Sequence, residues 1–162
     1  IGIDKKNIKN DLRGEKIENL LPLKKLDAPK EESKDLNIVK TVEGYDATKT
    51  YTFKKITYNV NDDAVKKYIA EDTFEMHQPY YTFVRLDMDI ATSSTSSETW
   101  INFPWLVSEY GFELTDSNFG ERPNTIPPGK HSFSLYYRVY VGAKILGFNG
   151  EDRLGEHYSV EL

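Results

Sequence analysis

The chain has 162 residues, with 21 Lys and Arg against 26 Asp and Glu, a formal charge of −5. That length suits one domain with an appended arm and suffices to bury a sizeable core. A net acidic chain without a basic run argues against nucleic acid as a partner, because phosphate neutralisation supplies most non-specific affinity. The sequence contains no cysteine, which removes disulfides, thiolate nucleophiles and cysteine zinc sites.

The hydrophobic fraction is 38%, but aromatics reach 13% through 11 Tyr, 8 Phe and 2 Trp. Each aromatic buries a large area, which argues against disorder of the whole chain. No apolar run approaches the ~20 residues of a membrane-spanning helix. The sequence opens at Ile1 without an initiator Met. Any signal peptide or lipid-attachment cysteine would lie upstream of it, and both this beginning and a cysteine-free chain are compatible with bacterial export.

Residues 1–35 form an N-terminal arm or tether that is rich in Lys and lacks aromatics. Asp4 is placed to cap a short helix through Leu12, and Leu20, Leu21, Leu23 and Leu26 are placed to dock on the main domain. The stretch Asp27–Asp35 reads as a solvated linker. Residues 36–162 read as strand after strand. Leu36, Ile38 and either Lys40 or Val42 share one face of the first. In 49–60, Tyr51 and Phe53 are out of phase with Ile56, Tyr58 and Val60. A β-bulge at Lys54–Lys55, or a strand that changes sheets there, reconciles the two halves. Asp62 or Asp63 caps a helix through Ala70, with Val65, Tyr68 and Ile69 on one face.

Two strands show a clear period of two. In 80–92, Val84, Leu86, Met88 and Ile90 point inward, and Tyr81, Phe83, Arg85, Asp87 and Asp89 point outward. In 130–142, Phe133, Leu135, Tyr137, Val139 and Val141 point inward, and Ser132, Ser134, Tyr136, Arg138 and Tyr140 outward. Residues 99–107 and 110–115 read as strands around a turn at Glu109–Gly111, with Pro104 implying an edge or a bulge. Glu156–Leu162 closes the fold. Polar loops connect these strands, which predicts an all-β, immunoglobulin-like antiparallel β-sandwich with one short helix and an N-terminal arm.

The segments YTFVRLDMDIATSSTSSETW and NTIPPGKHSFSLYYRVYV carry a resemblance across residues 36–162. They are similar to the telokin-like immunoglobulin domains of secreted proteins and lipoproteins of Gram-positive bacteria, although Ala91 stands where that pattern has Asn. The resemblance implies an extracellular or envelope-attached location and a binding or protective role. It supplies no catalytic residues.

Asp87 and Asp89 share one strand face, as paired acid/base carboxylates do, but a solvated face paired with Arg85 and Arg138 explains them better. Asp62–Asp63, Glu71–Asp72, Asp116 with Asn118, and Asn149 with Glu151 and Asp152 are oxygen donors for a structural calcium. The loop NGEDRLGE is the best placed, yet it lacks EF-hand spacing and reads first as a surface turn. No other cofactor is expected. His77, His131 and His157 show no metal-ligand spacing, and His131 reads as a half-exposed structural residue. No nucleophile motif is present.

The aromatic surplus carries the functional reading. Tyr136, Arg138 and Tyr140, with Tyr81 and Phe83 on the neighbouring strand, form the candidate binding face, since aromatics beside Arg make protein-binding hot spots and also stack on sugars. The competing reading puts Trp100, Trp105 and about half of the tyrosines in the core or under a cover. The expected function is a non-enzymatic extracellular module that binds a protein or a cell-wall glycan. The alternative is a carbohydrate-binding module that uses exposed aromatics.

Overall fold

The computed structural model describes residues 29–44, 46–71, 81–116, 119–120, 122–151 and 157–162. The expected helix at 4–12 and the docking leucines of the arm lie outside the described residues. Among the described residues ten strands and one helix follow in chain order: β1 (Glu32–Glu43), β2 (Thr48–Tyr58), α1 (Asp63–Glu71), β3 (Tyr81–Thr92), β4 (Thr99–Trp100), β5 (Trp105–Ser108), β6 (Gly111–Glu113), β7 (Thr125–Ile126), β8 (Gly129–Tyr140), β9 (Ile145–Glu151) and β10 (His157–Glu161). One antiparallel sheet has the order β1-β2-β3-β8, the other β10-β9-β5-β6, and β4 pairs separately with β7.

The two larger sheets close on a shared core. The first sheet contributes Tyr51, Phe53, Ile56, Val84, Leu86, Met88, Ile90, Leu135 and Tyr137, and the second contributes Leu106, Phe148, Tyr158 and Val160. Rings join the layers: Tyr51 stacks on Tyr158 at 4.7 Å, and Phe53 meets Phe148 at 5.9 Å. The alternation in β3 and β8 thus produces a sandwich, because each strand offers one continuous apolar face.

The phase change in β2 is a bulge. Its pairing with β3 shifts between Phe53 and Lys55, and its pairing with β1 shifts between Asp35 and Ile38. The extra residue, Lys54, returns Ile56 to the face that holds Tyr51 and Phe53. On the β1 side the irregularity is absorbed at Asn37, whose φ of 52° lies in the left-handed region that Asn tolerates.

Three expectations change. First, β1 begins at Glu32, inside the stretch read as a linker. Residues 32–35 pair with 58–55, and the Ser33 hydroxyl lies 3.0 Å from that of Thr57. Second, 99–107 is two strands in different sheets. The chain breaks pairing at 101–104, where the Pro104 carbonyl accepts the buried Tyr137 hydroxyl at 2.7 Å, and proline cannot donate to a ladder. Third, 145–151 is a strand of the second sheet, paired with both β5 and β10. Its interior holds Gly150, where a Cβ would stand 1.9 Å from the Tyr158 ring. Only glycine lets that ring lie across the strand.

Candidate functional site

The predicted binding face divides under α1. Asp62 caps the helix, its Oδ1 accepting the Val65 amide at 2.9 Å. Its Oδ2 accepts Arg85 Nη1 at 2.8 Å and the Tyr136 hydroxyl at 2.5 Å, which fastens the helix to the outer face of the first sheet. Burial opposes ionisation of Asp62, but the bonds from Tyr136, Val65 and Arg85 outweigh it and hold the carboxyl below its usual range. Burial, then the Asp62 carboxylate, pushes the Tyr136 hydroxyl up to about 12.

Under this cover lies a second apolar cluster of Val60, Val65, Phe83 and Tyr136, with Tyr68 and Phe119 packed against it. Phe119 stacks on Tyr136 at 4.3 Å, and Tyr68 meets Phe83 edge-on at 5.5 Å. Phe83 is therefore 1% exposed and Tyr136 8%. Both have the outward parity expected of them, yet neither is available to a partner, and they leave the candidate face. Ile69, expected on the buried side of the helix, is exposed at 37%.

The other three residues stay together. Tyr81 lies opposite Tyr140 in the β3–β8 register, and their rings stack at 5.1 Å. Arg138 is exposed and sits 5.0 Å above the Tyr81 ring, a cation–π contact. Tyr110 closes edge-on against Tyr140 at 5.6 Å. The rings are occupied with one another, and Arg138 is the exposed member.

Asp87 and Asp89 are also occupied. Asp87 accepts the Ser134 hydroxyl at 2.6 Å and faces Arg85 Nε at 3.4 Å. Asp89 accepts Ser132 at 2.6 Å and pairs with Lys54 Nζ at 2.9 Å. Their cross-strand partners are serines and the bulged lysine, while Arg138, expected to pair with them, stands over Tyr81. Burial raises the Asp89 pKa less than Ser132 and Lys54 lower it, so it stays ionised below the usual carboxylate range. Both carboxylates are thus held by neighbouring side chains of their own sheet.

Of the calcium donors, Asp62 is engaged as described, Asn149 and Glu151 lie in strand β9, and Asp72, Asn118 and Asp152 lie outside the described residues. Among the described residues no group of three or more His, Cys, Asp or Glu is placed to hold a metal ion. His77 also lies outside them. His131 is half-buried, and its Nε2 lies 2.9 Å from the Pro127 carbonyl, which gives it a structural role.

The tryptophans reverse the expectation. Trp100 and Trp105 are 42% and 41% exposed, where the competing reading had put them in the core or under a cover. Trp105 stands on the outer face of the second sheet because Leu106, its neighbour in β5, fills the core. Phe112 of edge strand β6 is 61% exposed and meets Trp105 edge-on, with ring centroids 6.0 Å apart. From these rings a groove of about 600 Å³ runs past Asn149, Glu151, His157 and Ser159 to Lys40 and Thr41 of β1. Gly150 and Tyr158 complete its lining. On the other side of Trp105, a smaller hollow of about 250 Å³ is bounded by Pro104, Leu114, Thr115 and Arg122.

This groove was hidden in the sequence. Phe112, Asn149, His157 and Ser159 lie on short strands with one or two turns of alternation. Trp105 could be phased only by recognising Pro104 as a strand boundary. Compared with family models, with curated proteins and with solved structures, the chain matches none.

Proposed function

We propose that this chain is a non-enzymatic binding module, an immunoglobulin-like sandwich of the telokin-like kind, exported to the bacterial cell surface or attached to the envelope as part of a lipoprotein. It recognises a protein or a cell-wall glycan through the outer face of its second sheet and needs no cofactor. One observation supports this reading above the others. Trp105 and Phe112 are left in water beside a groove lined by hydrogen-bonding side chains, while the same chain covers Phe83 and Tyr136 on its other sheet with a helix. Exposed aromatic area costs roughly 25 cal/mol per Å² relative to burial, and aromatics that meet a groove are the usual anchors of binding sites. Acid/base catalysis by Asp87 and Asp89 has less support, because Ser132, Ser134, Lys54 and Arg85 occupy both carboxylates.

The test is saturable binding of the labelled full chain to an envelope fraction of its source organism. Trp105→Ala is expected to weaken that binding at least tenfold and Arg138→Ala to leave it as it was. Absence of saturable binding overturns the reading. Loss with Arg138→Ala and retention with Trp105→Ala would return the site to the Tyr81–Tyr140 cluster.

A further inference from the structure

The groove on the second sheet has a row structure that names a ligand chemistry. Trp105 lies opposite Asn149, and Asn149 lies opposite Ser159, so one line crosses β5, β9 and β10. At a strand spacing of ~4.8 Å, the indole and the Ser159 hydroxyl are about 10 Å apart along that line. One step along the strands, Glu151 lies opposite His157. The arrangement is therefore a flat apolar ring at one end, then an amide, a hydroxyl and a carboxylate within one or two strand spacings.

An apolar face next to several hydroxyl-matching groups complements a sugar ring, which carries C–H bonds on its face and hydroxyls around its rim. Aromatic side chains bind such faces through large, rigid contact area. Asn supplies both donors and an acceptor, and Ser and Glu supply acceptors for hydroxyl donors. The groove's volume lies within the ~300–1,000 Å³ of small-ligand sites. A protein partner of ordinary size takes about 800 Å² on each side around a buried centre, whereas the two aromatics here touch each other at one end of a groove whose further lining includes Asn149, Glu151, His157 and Ser159. Charge points the same way: Lys40, Glu151 and His157 line one groove, with neither sign collected as a polyanion or polycation would require.

We infer that this groove binds an uncharged oligosaccharide segment, stacking one sugar ring on Trp105 and taking its hydroxyls on Asn149, Ser159 and Glu151. The inference rests on the binding-module reading above and assigns its ligand class.

Two measurements on the full chain test it. In the first, the envelope fraction is treated with proteinase K or with periodate, which cleaves vicinal diols of sugars. Binding is expected to survive the protease and to be lost after periodate, or after lysozyme where the glycan is built of 1,4-linked 2-acetamido sugars, whose chain residues have no vicinal diol. In the second, chitohexaose, cellohexaose, xylohexaose and mannohexaose are titrated by calorimetry and tryptophan fluorescence. At least one is expected to bind, with Trp105→Ala weakening it tenfold or more and Asn149→Ala about threefold, in variants whose far-UV circular dichroism matches the wild type. Binding destroyed by proteinase K and indifferent to periodate and to lysozyme overturns the glycan while leaving a protein-binding module in place. Sugar binding indifferent to both substitutions overturns the groove as its site. Absence of any saturable envelope binding removes the underlying reading as well.

Discussion

Replacing Asp62 by alanine detaches the helix from the sheet it covers. The carboxylate receives three bonds: the Val65 amide at 2.9 Å, Arg85 Nη1 at 2.8 Å and the Tyr136 hydroxyl at 2.5 Å. Losing the helix cap costs about 0.5–2 kcal/mol. Tyr136 is 8% exposed, so its hydroxyl loses an acceptor where water barely reaches, at about 1–3 kcal/mol. The contributions share one carboxylate and do not simply add, which puts the expected loss at roughly 2–4 kcal/mol. For a chain of this size that lowers Tm by about 10 °C. Asp62→Asn keeps a good cap and is expected to lose less. In a Tyr136→Phe background, Asp62→Ala is expected to cost about 1 kcal/mol less than in the wild type, because no hydroxyl is then stranded. Urea unfolding followed by far-UV circular dichroism measures all four corners of this cycle. A loss under ~0.5 kcal/mol, the range of ordinary surface substitutions, or strict additivity with Tyr136→Phe, refutes the account of how the helix is held.

Two further outcomes follow from the same structure. Gly150→Ala forces the new methyl into the Tyr158 ring, 1.9 Å away, and is expected to destabilise by roughly 1–3 kcal/mol; an unchanged urea midpoint would show that the ring does not lie across that strand. Stability is expected to fall with acid. In Asp46, Asp62 and Asp89 burial is outweighed by hydrogen bonds and neighbouring cations, and all three folded pKa values lie below the unfolded one. Their contribution is complete above the unfolded value of ~3.9 and is lost as pH drops through the folded values. Urea midpoints should therefore be level above about pH 5 and decline toward pH 2, and a midpoint that rises on acidification contradicts the assignment.

The strand ladders of β3 and β8 were readable from sequence because each holds five or so alternations, and a period of two over that length has one physical meaning: one face is buried. The phase change between Phe53 and Ile56 was readable for the same reason, but it left a bulge at Lys54–Lys55 or a change of sheet, and the ladder with β3 decided for the bulge. The helix was readable too, from Asp62 or Asp63 as cap and Val65 close behind on its apolar face. What lies outside an alternating face was not legible there. Phe83 and Tyr136 point outward as their parity requires, but whether an outward residue meets water depends on what packs over it, and α1 comes from a different part of the chain. Residues 32–35 are exposed in their strand, so only the ladder with β2 distinguishes them from a loop. Strands of two to four residues such as β4, β5 and β6 hold too few alternations to fix a phase, and Trp105 and Phe112 lie on two of these. The sequence by itself determined an antiparallel sandwich rich in aromatics; the tertiary structure decided which aromatics are covered and which stand at the groove, because exposure is set by contacts between segments far apart in the chain.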